Sequence, residues 1–132
     1  MNLVIDSSVF ISYSLYNKLY RIADAIVTYD LKVYVNEVLL AEVEKNLSKL
    51  QIRSKADIRQ SIVFIKAFVI IVDVKPFFNN SPDPKDNFLF DLAIQTNSTI
   101  IVTQEKALLN FKESPIPIHD IKWFKETYPV PL

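Results

Sequence analysis

Asp6 stands directly after Leu3-Val4-Ile5 and directly before Ser7-Ser8, so an apolar, largely β-branched run ends in a carboxylate and two hydroxyls. A short continuous apolar run of this kind predicts a strand buried on both faces, as in parallel sheets. Ligands of open α/β sheets sit beyond the carboxyl ends of the strands, and Asp6 falls there. Three further acids are predicted to reach the same edge. Glu105 comes just past the apolar run Thr99 to Val102, within Thr103-Gln104-Glu105. Asp86 opens a helical segment after Pro82-Asp83-Pro84-Lys85 and shares one helical face with Phe90 and Ala93. Glu42 lies at the margin of the Leu39, Val43, Leu47 and Leu50 stripe, whereas Glu37 and Glu44 point away from it. Asp91, about 140° round the helix from Asp86, is predicted to face solvent.

Carboxylates gathered without basic partners raise one another's pKa unless a cation neutralises them. An all-oxygen set with no His or Cys suits Mg²⁺ or Mn²⁺. Such ions hydrolyse phosphodiesters by activating a water and stabilising charge on the phosphate oxygens. Metal-dependent phosphodiester hydrolysis is therefore the chemistry of this constellation. Taken singly, the acids have plainer roles. Asp86 would complement a helix dipole from its first turn, and Glu42 or Glu105 alone would be a solvated helix residue. Asp6 resists that explanation, because a charge abutting a buried strand needs a compensating reason. The four together favour a site.

The chain that must position them has 132 residues, half of them apolar and 12% aromatic, which is one domain's worth of core. Fifteen basic residues balance fifteen acidic ones, so any nucleic-acid contact must come from a local patch rather than bulk charge. There is no cysteine, which excludes disulfides, zinc–thiolate sites and thiol catalysis and fits a cytoplasmic protein. The longest apolar run, Phe68 to Val72, is far too short to span a bilayer. There is also no glycine. Walker and dinucleotide phosphate loops are thereby excluded, and Asn or Asp must supply any left-handed turn position.

Helical spacing is predicted over Val9 to Leu19 and Leu19 to Tyr29, with a strand over Leu31 to Val35 that ends at a helix cap, Asn36. Helices follow over Val38 to Leu50 and from Ser54, a second cap, through Ile65. Phe68 to Val74 reads as a third strand, Asp86 to Thr96 as a helix and Thr99 to Val102 as a fourth strand. Lys106 to Leu109 reads as a short helix, and the prolines flanking Ile116 and Ile118 mark an edge strand. A last helix is predicted over His119 to Tyr128. Strands alternating with helices predict an α/β fold on a parallel sheet.

The pieces Leu3 to Ile11, Leu39 to Val43, Asp83 to Ala93 and Ile101 to Leu109 together resemble, in order and spacing, the PIN-domain family, in particular bacterial toxins of toxin–antitoxin pairs. The resemblance implies a single three-layer α/β/α domain over residues 1–132, with a central, mostly parallel sheet of four to five strands. It implies a Mg²⁺- or Mn²⁺-dependent ribonuclease site. The family's acids map to Asp6, Glu42, Asp86 and the position of Glu105, and supporting hydroxyls map to Ser8 and Thr103. It also implies an RNA substrate, an antitoxin partner and a homodimer. The family's usual Gly-Asp after the Thr is Gln104-Glu105 here. The longer side chain displaces the carboxylate by more than about 1 Å, which matters in a tightly held site. A non-catalytic PIN-like module that binds nucleic acid or protein is the alternative this substitution raises. A receiver-like phosphoaspartate switch fits less well, since it needs a second acid beside the first strand and a lysine after the last.

His119, the only histidine, is expected at the surface or in a cap, and Trp123 and Phe124 in packing. Lys45, Lys49, Arg53, Lys55 and Arg59 form a basic stretch flanking Glu42, either a solvated helix face or a hold on RNA phosphates. Phe10, Tyr13, Tyr16 and Tyr20 exceed what one sheet face needs and suggest a dimer surface.

Overall fold

Strand β1 (Asn2–Ile5) lies at the centre of a five-stranded sheet, with Leu3, Val4 and Ile5 completely buried. The computed structural model describes residues 1–50 and 54–131. After β1 come α1 (Ser7–Leu15), α2 (Leu19–Tyr29), β2 (Lys32–Val35), α3 (Glu37–Leu50), α4 (Lys55–Phe68) and β3 (Ile70–Ile71). A 3-10 turn over Pro84–Asp86 leads into α5 (Asn87–Gln95), then β4 (Ile100–Val102), α6 (Lys106–Leu109), β5 (Ile118–His119) and α7 (Ile121–Thr127). The strand order is β3-β2-β1-β4-β5 and every pairing is parallel. The chain moves outward from β1 to β3, then returns to β4 on the other side of β1. Right-handed crossovers therefore put α1 to α4 on one face and α5 and α6 on the other, giving three layers. The carboxyl ends of β1 and β4 flank the point where the direction reverses, the usual ligand crevice of such sheets. No helix among the described residues is long and apolar enough to cross a membrane.

Local signals account for most boundaries. Asn36 Oδ1 accepts from the Leu39 amide at 3.0 Å, and Ser54 Oγ from the Asp57 amide at 3.1 Å, so both expected caps form. The left-handed residues among those described are Asn17, Asp30 and Asn97, with φ of 56°, 52° and 56°. They end α1, α2 and α5, where glycine would otherwise serve. After α1 and α5 the amides of Lys18 and Ser98 reach back five residues, to Tyr13 O and Ala93 O, each at 2.8 Å.

Several expectations are corrected. The third strand is two residues long, because α4 continues through Phe68; Ile70 and Ile71 are about 40% exposed on the sheet edge. His119 belongs to β5, and the last helix starts beyond Asp120, whose side chain accepts from the Trp123 amide at 2.9 Å. Phe10 and Tyr13 are core residues, leaving Tyr16 and Tyr20 as the exposed aromatics of that group. Leu50 is exposed, so the α3 stripe closes at Leu47. The basic stretch's Arg53 lies outside the described residues.

Asp91 is buried instead of solvated. Its Oδ1 accepts from the amides of Phe77 and Phe78 at 2.9 and 2.8 Å, fastening the long connection before Pro84 onto α5. Phe78 can then stack on Phe90, ring centroids 4.5 Å apart. Asp91→Ala would strand both amides, and a hydrogen bond to a charged acceptor is worth about 1.5–3 kcal/mol. We expect a loss of about 2–3 kcal/mol in urea unfolding, and a smaller one for Asp91→Asn, which keeps an oxygen acceptor. Wild-type stability in Asp91→Ala would refute this anchoring role.

Candidate active site

Asp6 is 1% exposed and caps α1 at the end of the central strand. Its amide donates to Val102 O at 2.8 Å, which ties the end of β1 to the end of β4. Its Oδ1 accepts from the Ser7 amide at 2.8 Å, and its Oδ2 from both Ser8 Oγ and Thr103 Oγ1, each at 2.8 Å. Those two hydroxyls have thereby committed their protons to Asp6, so their lone pairs must accept from elsewhere. Ser8 Oγ accepts from the Gln104 amide and Thr103 Oγ1 from the Glu105 amide, both at 3.1 Å. One carboxylate thus fixes the turn after β4 through two hydroxyl relays. Gln104 extends the arrangement, because its Oε1 accepts from the Ile121 amide at 3.1 Å at the start of α7.

The other acids arrive from three separate elements. Asp86, 7% exposed, ends the 3-10 turn, which Asp83 caps by accepting from the Lys85 amide at 3.0 Å. Glu42 projects half-buried from α3, with its Oε2 3.5 Å from Ser7 Oγ. Glu105 caps α6. Glu37 and Glu44 are exposed, as their helix positions require.

The electrostatics reflect this crowding. Burial, followed by the charges of Asp6 and Asp86, pushes the Glu42 carboxyl up to about 7. Burial, then Asp6 and contact with Asp86, pushes Glu105 up to about 8. Asp86 is also raised, chiefly by burial, although its hydrogen bond with Glu105 works the other way. Contact between the two carboxyls thus raises Glu105 and works against the rise of Asp86. Among the described residues the one ion pair is Lys85 Nζ to Asp83 Oδ2 at 3.9 Å, and both groups are substantially exposed. Among the described residues no basic side chain forms an ion pair with the four acids.

The structure therefore brings Asp6, Glu42, Asp86 and Glu105 into one electrostatic cluster and sets Ser8 and Thr103 on Asp6. Among the described residues, no three His, Cys, Asp or Glu side chains already stand in metal-holding geometry. The donor chemistry still fits a hard divalent cation: oxygens only, in excess of their counter-charge, with protons meeting the excess instead. Sequence reasoning missed Ser7, Gln104 and Lys85. Ser7 was signalled only by its place beside Asp6, and Gln104 by nothing, because its role lies in a contact with a helix that starts 17 residues further on. Glu42, Asp86 and Glu105 line a cavity of about 460 Å³ with Lys45, Lys49 and Lys85. His119 stacks on Trp123 at 4.1 Å, and Phe124 is buried.

No curated protein matches the sequence. In three dimensions the chain is similar to PAE2754 from Pyrobaculum aerophilum, with a TM-score of 0.64 and 11% identity over 97% of this chain and 95% of that one. It is also similar to VapBC2 from Rickettsia felis, solved bound to a DNA fragment from their promoter. There the TM-score is 0.62 and the identity 18%, over 91% of this chain and 98% of that one. At such identities the likeness is one of fold. The pattern of the PIN domain matches residues 2–107, and on that match the chain belongs to the PIN-domain family.

Proposed function

We propose that the chain is a Mg²⁺- or Mn²⁺-dependent endoribonuclease, the toxin of a toxin–antitoxin pair. The observation that carries this reading is the cluster of four carboxylates at the sheet's reversal point, in ion pairs with no basic group among the described residues. Membership of a family whose members are generally nucleases supports it. Asp6 and Asp86 would hold the ion, and Glu42 and Glu105 would complete its surroundings. When bound, the ion lowers the pKa of water and offsets charge on the phosphate oxygens.

The chain's own residues do the positioning. Ser8 and Thr103 spend their protons on Asp6, which holds that carboxylate in one orientation. Glu42 and Glu105, with carboxyls near neutrality, can hold or release a proton at their Oε atoms in the working pH range. The likeness to VapBC2 supports a protein partner, here an antitoxin. Exposed Tyr16, Tyr20 and Phe64 offer apolar surface for a homodimer. The second reading, a non-catalytic PIN-like binding module, is favoured by Gln104-Glu105 together with the lack of a ready three-ligand arrangement among the described residues.

The deciding assay is cleavage of a mixed RNA pool with Mn²⁺ or Mg²⁺. Wild type should cut only with metal, and Asp6→Asn should lose at least about a hundredfold in rate, the scale of removing a positioned electrostatic group. Equal silence of both proteins, with no metal binding by calorimetry, would favour the binding module.

The raised carboxyls also set a pH dependence. A folded-state pKa above the unfolded value near 4.5 means that the folded chain holds the proton more tightly. Its stabilising contribution is full below about 4.5 and is lost as pH rises through about 7 for Glu42 and about 8 for Glu105. Metal-free protein should melt lower across that window, and Glu105→Gln should flatten the slope. Added Mn²⁺ should raise Tm most at the alkaline end, where it no longer competes with protons. A metal-induced shift that is largest in acid would contradict this account.

A further inference from the structure

The basic stretch beside Glu42 divides in the structure. Lys55 and Arg59 lie on α4, whereas Lys45 and Lys49 line the cavity that holds Glu42, Asp86 and Glu105, and Lys85 joins them from the 3-10 turn. On α3 the positions Glu42, Lys45, Asn46 and Lys49 follow at i, i+3, i+4 and i+7, which is one helical face. The cations therefore begin about 4.5 Å along the helix axis from the acid and continue to about 10.5 Å. Lys49 also suits the helix C-terminal dipole, but Lys45 sits too far from that end for the same explanation.

These lysines are not counter-ions to the acids. Among the described residues Lys45 and Lys49 make no ion pair, although carboxylates short of counter-charge share their cavity. Lys45 and Lys49, exposed and without an ion pair along one wall with acids at one end, are arranged for an incoming polyanion that reaches past the acids, and Lys85, paired with Asp83 at 3.9 Å, stands beside them. We infer that Lys45 and Lys49, with Lys85, form a phosphate-binding wall that seats the flanking backbone of a single RNA strand while one phosphodiester meets the carboxylates. The inference rests on the nuclease reading above. Contacts of this kind position a strand without reading its bases, and they make the three lysines positioning residues.

The test uses the full chain carrying Asp6→Asn, so that RNA survives. Its binding to a labelled, mixed-sequence, single-stranded oligoribonucleotide is followed by fluorescence anisotropy across a salt series. Adding Lys45→Gln and Lys49→Gln should weaken binding about tenfold and reduce the slope of log affinity against log salt by about 1.4, two phosphates' worth for a single strand. Arginine at both positions should restore the slope, and a DNA strand of the same sequence should show the same loss. In the active protein the Gln pair should raise KM far more than it lowers kcat. Lys55→Gln with Arg59→Gln, of equal charge change outside the cavity, should leave binding nearly unaltered.

An unchanged slope in the Lys45/Lys49 variant, or an equal loss from the α4 pair, would overturn the wall. Circular dichroism and melting of each variant separate these results from misfolding, and if the Gln pair does not fold the single variants Lys45→Gln and Lys49→Gln carry the test, each with a slope loss of about 0.7. Metal-dependent cleavage by wild type beside an unchanged slope would leave the nuclease standing without the wall. Slope loss beside an inert wild type would give the wall to the binding module instead.

Discussion

Burying a carboxylate at the tip of a central strand is the constraint on which the rest of this site depends. Asp6 can remain there because four donors surround it: one amide of its own helix, two hydroxyls from that helix, the Ser7 one at a longer 3.5 Å, and one hydroxyl from just beyond the neighbouring strand. Those donors are not passive. Each proton that Ser8 and Thr103 spend on Asp6 turns the hydroxyl into an acceptor, and the amides attracted belong to Gln104 and Glu105. The charge at the end of β1 therefore orders the turn after β4. Through Gln104 that turn in turn receives the first amide of α7.

This chain of bonds bears on the substitution of Gln-Glu for the family's usual Gly-Asp. A glycine is indispensable only where the backbone requires positive φ or a close approach. The positive-φ residues among those described are Asn17, Asp30 and Asn97, so the turn at Gln104 demands nothing a side chain would forbid. The position can then carry a side chain with a task of its own, capping α7. The longer reach of Glu105 is taken up by its contact with Asp86, which an aspartate on the same backbone would meet less readily. The turn is therefore held by side-chain hydrogen bonding, without a glycine.

Much of this was legible in the residue order, and the failures share one cause. β-branched runs, the caps Asn36 and Ser54, and the placing of four acids after strands or on one helix margin are local signals, and the structure follows them. Asp91 was misread because helical periodicity says which way a side chain points, not what the chain lays over it. The connection before Pro84 brings two amides there that need an acceptor. Phe68 was assigned to a strand because its β-forming neighbours outweighed the helix that runs on to it. Tyr13 and Phe10 looked surplus because the count of apolar faces omitted α3, against which α1 packs. Gln104 acts through Ile121, distant in sequence, and Lys85 matters through the cavity it shares with Glu42; no local pattern announces either.

The cluster is expensive to keep. Three acids with raised carboxyls, Glu42, Asp86 and Glu105, oppose folding as pH rises, and a structure selected only for stability would replace some of them or pair them with lysines. The lysines are present, in the same cavity, yet they stay on its wall and leave the acids uncompensated. That separation of charge within one groove costs stability in the free protein. It is what a site needs if the missing positive charge is to arrive with a metal and the missing negative charge with a phosphate backbone. The two deficits are complementary, and a single bound substrate strand with its ion would satisfy both at once.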